Sequence, residues 1–167
     1  VVNISPQARV TNVSFTEPYD YSQDAVVAFD VEAPAYAAAS EAVTAFRLPL
    51  MTHPLADWLI PDLFYDFSQP ERGYGLRMRA TRGLRYSESI QLPAGWEIQN
   101  PPAERNITSP AADLRFTATA DGSELRYTFE LDIKKQIIPP EEYPAFREAI
   151  EAMHALADTW VACTQPE

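Results

Sequence analysis

The stretch LRFTATADGSELRYTFELDI, residues 114–133, restricts what this chain can fold into more than any other. Leu114, Phe116, Ala118 and Ala120 alternate with polar residues before Asp121-Gly122, and Leu125, Tyr127, Phe129, Leu131 and Ile133 alternate after it. A period of two places each set on one face of an extended strand. Asp-Gly suits a two-residue type I′ turn, whose central residues both need φ > 0. With Asp121 and Gly122 in those places, Ala118 falls opposite Leu125, Phe116 opposite Tyr127 and Leu114 opposite Phe129. Arg115 and Thr117 then meet Thr128 and Arg126 on the other face. The pattern predicts a β-hairpin with one buried face.

The same period recurs in shorter runs. It appears at Val27, Phe29 and Val31, at Tyr74, Leu76 and Met78, and at Leu84, Tyr86, Ile90 and Leu92. Trp96 and Ile98, then Val10, Val13 and Phe15, add two more. Fifteen prolines against five glycines suit short strands joined by stiff turns. The expected fold is mainly β, an antiparallel β-sandwich of about six to eight strands with one C-terminal α-helix packed on it. That helix follows Pro139-Pro140 and spans about residues 140–158, with Pro140 at its first position and Glu141 and Glu142 in its first turn. Tyr143, Phe146, Ile150, Met153 and Ala157 form its apolar stripe. TWVAC, residues 159–163, reads as a final short strand. Two stretches fit less well: EAPAYAAASEAVTAF, and the aromatic, proline-broken HPLADWLIPDLFYDFSQP. Trp58, Phe64 and Tyr65 of the second read as core or interdomain packing.

Hydrophobic residues make up 46% of the 167, enough for a core without disulfide or metal staples. The formal net charge of −11 repels phosphate backbones and disfavours nucleic acid as a partner. Arg72, Arg77, Arg79, Arg82 and Arg85 run against that trend, and read as the wet face of a strand with its turns. No run of about 18 apolar residues is present, so no membrane-spanning helix is expected. Cys163 is the only cysteine, which excludes an internal disulfide. The opening VVNIS carries neither an initiator methionine nor a signal-like segment, and suggests a piece of a longer protein.

Chemistry is sparse. Cys163, His154 and Asp158 are the residues from which a Cys-His-Asp set would be drawn, and His154 and Asp158 stand one helical turn apart. No feature of the sequence lowers the thiol pKa, and Cys163 reads more simply as a small apolar residue. Carboxylate pairs such as Glu141-Glu142 are expected by abundance among 24 acidic residues. No metal-ligand spacing, phosphate-binding loop or dinucleotide glycine motif is found, so no cofactor is expected.

Three pieces taken in order, ERGYGLRM, SESIQLPAGWEIQNPP and IIPPEEYPAFREAIEAM, with the hairpin before the last, resemble the C-terminal β-rich domain of bacterial transglutaminase-like proteins of the DUF3857/DUF3858 type. The resemblance runs from about Arg72 to Val161, with a looser echo before Pro34. It implies that the chain, residues 1–167, is a single accessory domain that follows a papain-like transglutaminase core in the same polypeptide. The catalytic Cys, His and Asp of such proteins belong to that core, so none is carried onto this chain. The positions that do carry over are structural: Arg72 before a strand, Pro93 and Gly95 in a turn, Trp96 filling the sandwich, and Pro140 and Tyr143 at the helix start. A non-catalytic role supporting or positioning the core is implied, with export to the bacterial cell envelope. An independent glycan- or peptide-binding module, with Trp58, Trp96 or Trp160 as a stacking platform, is the alternative.

Overall fold

A computed structural model describes residues 7–39, 44–52 and 67–165. By backbone contacts the chain divides into two compact units, residues 1–38 and 39–167. The first holds a two-stranded antiparallel ribbon, β1 (Arg9–Phe15) with β2 (Val27–Glu32), in which Val10 pairs with Val31 and Phe15 with Val27. The register shifts between Thr11 and Ser14, where Asn12 takes φ 51°. Asparagine tolerates that left-handed conformation, and its side chain donates to the Asp30 carboxylate. In the connecting loop, Asp20 accepts from the Ser22 amide at 3.0 Å and from Gln23 Nε2 at 2.8 Å. Those hydrogen bonds, chiefly from Ser22, hold its carboxyl below the usual range.

A two-residue strand, β3 (Ala38–Ala39), marks the boundary, and β4 (Thr44–Arg47), α1 (Pro49–Thr52), β5 (Leu76–Arg77) and β6 (Arg82–Gln91) follow. The rest runs β7 (Glu97–Ile98), β8 (Arg105–Thr108), β9 (Ala112–Asp121), β10 (Glu124–Ile133), β11 (Ile137–Ile138), α2 (Tyr143–Ala157) and β12 (Trp160–Thr164). The architecture is mainly β with antiparallel sheets and a C-terminal helix, as the sequence pattern indicates. Twelve strands are present among the described residues, and eight of them are four residues or longer.

The predicted hairpin is β9–β10, flanked in one sheet by β6 and β8 in the order β6–β10–β9–β8. Leu114, Phe116, Leu125, Tyr127, Phe129, Leu131 and Ile133 are all buried on one face. Its register differs from the expected one by two residues. Leu125 pairs with Ala120, Tyr127 with Ala118, Phe129 with Phe116 and Leu131 with Leu114, so the turn residues are Gly122 and Ser123. Gly122 has φ 57°, while neither Asp121 nor Ser123 has positive φ. Glycine first and a normal residue second is the type II′ arrangement, which spares Asp121 a strained backbone. The turn is also held from outside: the Ile98 amide donates to Gly122 O at 3.1 Å and the Leu92 amide to Ser123 O at 2.8 Å.

α2 packs against β9 and β8 and touches α1. Its buried stripe is Tyr143, Phe146, Ala149, Ile150, Met153 and Leu156. Leu156 takes the place expected for Ala157, which is half-buried. The helix starts at Tyr143, not Pro140, because Pro139–Glu142 form a turn in which the Tyr143 amide donates to Pro139 O at 3.1 Å. Pro144 then sits in the first helical turn, where no backbone donor is lost. Glu142, the N-cap, instead pairs with Lys135 at 2.6 Å. A second sheet joins β4, β12 and β7 in that order, with Val161 opposite Phe46 and Cys163 opposite both Thr44 and Ile98. β5 and β11 form a short ribbon of their own. Tyr74, expected on the apolar side with Leu76 and Met78, is exposed, whereas those two are buried.

Two glycines test the turn assignment. Gly122→Ala forces an L side chain into positive φ and should cost roughly 1–2 kcal/mol. Gly73→Ala meets nothing within 4 Å and should be neutral or slightly stabilising. Urea unfolding of both variants checks this, and equal losses would contradict the assigned turn.

Candidate functional site

Five of the eight candidate positions read from the sequence fall on described residues. Trp58, Phe64 and Tyr65, like His53, lie outside them. Arg72 and Tyr143 are brought together, the guanidinium carbon standing 4.8 Å from the ring centroid. Tyr143 is buried, and its hydroxyl donates to Gln69 O at 3.1 Å. One turn along α2, Arg147 Nε donates to Phe67 O at 2.7 Å, and the Phe67 and Phe146 rings lie 5.9 Å apart. Residues 67–72 are thus fastened along the start of α2 by two carbonyl hydrogen bonds, a cation–π contact and a ring pair.

Pro93, Gly95 and Trp96 form a separate turn after β6. The Trp96 amide donates to Pro93 O at 3.2 Å, and Gly95 has φ 83°. Positive φ at the third residue is what a type II turn requires, hence glycine. Trp96 is half-buried, so it does not fill the core as expected. Trp160 is partly exposed, with the Arg47 guanidinium 5.0 Å above its ring. That cation covers one face of the ring a stacking ligand would use.

The Cys163, His154 and Asp158 set is not assembled as a triad. The Cys163 thiol is buried and donates to Thr44 O at 3.2 Å, and burial pushes its pKa up. Asp158 pairs with Arg47 at 3.4 Å. A protonated thiol facing a carbonyl is a poor nucleophile. The arginine-rich stretch is likewise dispersed: Arg72 lies on Tyr143, Arg77 is exposed, and Arg85 reaches Glu130 at 3.9 Å. A shallow groove beside edge strand β8 is lined by Glu104, Arg105, Asn106, Arg115, Phe116 and Thr117. Among the described residues no group of three or more His, Cys, Asp or Glu could hold a metal ion.

The most unusual ionisable group is one the pattern passed over. Glu88 occupies an inward position of β6, in the row Leu84, Tyr86, Glu88, Ile90, and pairs across the sheet with Tyr127. The Tyr127 hydroxyl donates to Glu88 Oε2, and the Leu50 amide of α1 donates to the same oxygen at 3.4 Å. Burial raises the carboxyl pKa above its usual range, and the two hydrogen bonds oppose the shift in part. The signal available in the sequence was the acidic residue itself, in a place where alternation demands an apolar one. Chemically the arrangement can hold a proton, and it ties the main sheet to α1.

The family comparison falls on this same body of the chain. A family described as a domain of unknown function with a solved structure, DUF3858, matches residues 54–159, more than half of the chain. The chain belongs to this family. The match takes in β5–β11 and α2, and leaves the β1–β2 ribbon outside. No curated protein matches the chain. Among solved structures, a candidate protease from Parabacteroides distasonis ATCC 8503 superposes with a TM-score of 0.60 over 75% of this DUF3858 chain, at 16% identity. The chain spans 24% of that protein's length. At this identity the likeness establishes a shared fold. Among the described residues no helix is long and apolar enough to cross a membrane.

The Glu88 environment predicts a pH effect. A carboxyl whose folded pKa is raised contributes stability that is full below its unfolded pKa and is lost as pH rises through the folded one. Glu88→Gln keeps a carbonyl oxygen for both donors and removes the charge. Its melting temperature relative to the unmodified protein should therefore rise as pH is raised from below the ordinary carboxylate range through the raised pKa of Glu88. A difference that stays constant over that range would show that Glu88 is not desolvated in solution.

Proposed function

We propose that this chain is a non-catalytic accessory domain of a bacterial transglutaminase-like protein, where it supports or positions the catalytic core. The observation that carries the reading is the size relation to the candidate protease: the shared fold accounts for 24% of a much longer chain. A domain of this kind has a larger body beside it to serve. The resemblance of Arg72, the Pro93–Trp96 turn and Tyr143 to the C-terminal domains of such proteins supports the same reading. So does the state of Cys163, whose buried thiol is bound to a carbonyl and unfit for nucleophilic attack. The core would then supply the reaction, and the present chain would supply a folded surface. Export to the cell envelope goes with this reading. A fold without disulfides is compatible with it, since the apolar row of β9–β10 and the stripe of α2 provide the core.

Titration calorimetry of the chain against the separately expressed core of its own polypeptide tests the proposal. Saturable one-to-one binding with a Kd of about 10 μM or tighter is expected. Absence of binding, with both pieces folded, would sink it.

A further inference from the structure

Large exposed apolar side chains are not spread evenly over the described residues. Nine are found among the described residues, and six of them, Val13, Phe15, Tyr19, Tyr21, Val26 and Val27, fall within the fifteen positions 13–27. These positions are the loop end of the β1–β2 ribbon, outside the family match. Phe15 and Val27 pair directly across the ribbon, and they are 67% and 55% exposed. Farther along β2, Phe29 and Val31 are only half-buried. A two-stranded sheet has no second layer of its own to cover such a face, and a ribbon of this size is marginal in water by itself. Clustered apolar exposure of this kind marks a contact surface.

Charge decides what the surface fits. Between Val13 and Val27 stand Glu17, Asp20 and Asp24, and no lysine or arginine. Asp20 is held ionised by the donors of Ser22 and Gln23. A second copy would set these carboxylates against their like, and an anionic lipid surface would repel them. A protein surface with an apolar centre and a lysine- or arginine-bearing rim complements both the side chains and the charge.

We propose that the loop end of the β1–β2 ribbon is the docking surface of this domain, and that its occupant is a basic-rimmed apolar face on the catalytic core of the same polypeptide. This rests on the accessory-domain reading and adds which surface makes the contact. The Phe15–Val27 pair supplies the buried centre of the interface. Glu17, Asp20 and Asp24 form its rim and steer the approach.

The test is calorimetric titration of the full chain and three variants against the separately expressed core, at low and raised salt. Phe15→Ser/Val27→Ser removes the apolar centre. Glu17→Lys/Tyr21→Ser changes only exposed side chains, and so reports on the contact even if the first variant disturbs the ribbon. Ile137→Ser, at an exposed apolar position elsewhere, is the control. Both ribbon variants should bind about tenfold more weakly or worse, the control should bind as the unmodified chain does, and raised salt should weaken binding. Undiminished binding by both ribbon variants would overturn this inference and leave the accessory reading standing. No binding by the unmodified chain would overturn both. Self-association of the unmodified chain that the ribbon variants abolish, seen by sedimentation, would give the face to a second copy and overturn the assignment.

Discussion

The pairing of β9 with β10 is the interaction on which the rest of the main unit depends. Each strand is ten residues long, and the inward side chains Leu114, Phe116, Leu125, Tyr127, Phe129, Leu131 and Ile133 are buried together on one face. Burying a side chain of Leu or Phe size contributes about 1.5–3 kcal/mol, so this face outweighs any single polar contact in the molecule. β6 and β8 find their places by pairing with the two outer edges of that hairpin, and α2 lays its own stripe against β9 and β8. The turn is part of the same device, because its two carbonyls accept from the Leu92 and Ile98 amides. Strand order, helix seat and the approach of β7 all follow from one hairpin.

The hairpin and the helix were legible because their periods differ and both are clean. The register was not. A slip of one residue would turn every side chain to the wrong face, but a slip of two leaves the faces unchanged. The hydrophobic pattern therefore could not choose between a turn at Asp121-Gly122 and one at Gly122-Ser123. The choice is made by backbone conformation at Gly122 and by donors from Ile98 and Leu92, more than twenty positions earlier in the chain. Helix onset was misplaced for a related reason. Pro139–Glu142 wind as a turn, which shares the residue preferences of a helix start.

The site residues show the limits of alternation more sharply. Arg72 and Tyr143 are 71 positions apart, and no local rule brings them together; the carbonyls of Phe67 and Gln69 do so by accepting from Arg147 and Tyr143 on α2. Alternation also cannot tell whether a face will be covered. Phe15 and Val27 belong to shorter alternating apolar runs and pair with each other, yet they are exposed. Glu88 is the opposite case, since its apolar neighbours Tyr86 and Ile90 set the period of the row and the period says nothing of an acid within it. Its partner Leu50 is 38 residues away and comes from another element.

A picture follows of two units, one with a well-buried sheet and helix and one a two-stranded ribbon with exposed apolar side chains. Backbone hydrogen exchange on the isolated chain measures that contrast directly. If the account is right, amides of β9, β10 and α2 exchange last, near the rate set by global unfolding, while those of β1 and β2 exchange much earlier through local opening. Protection in β1–β2 equal to that in β10 would contradict it, because the ribbon would then need no partner to be stable.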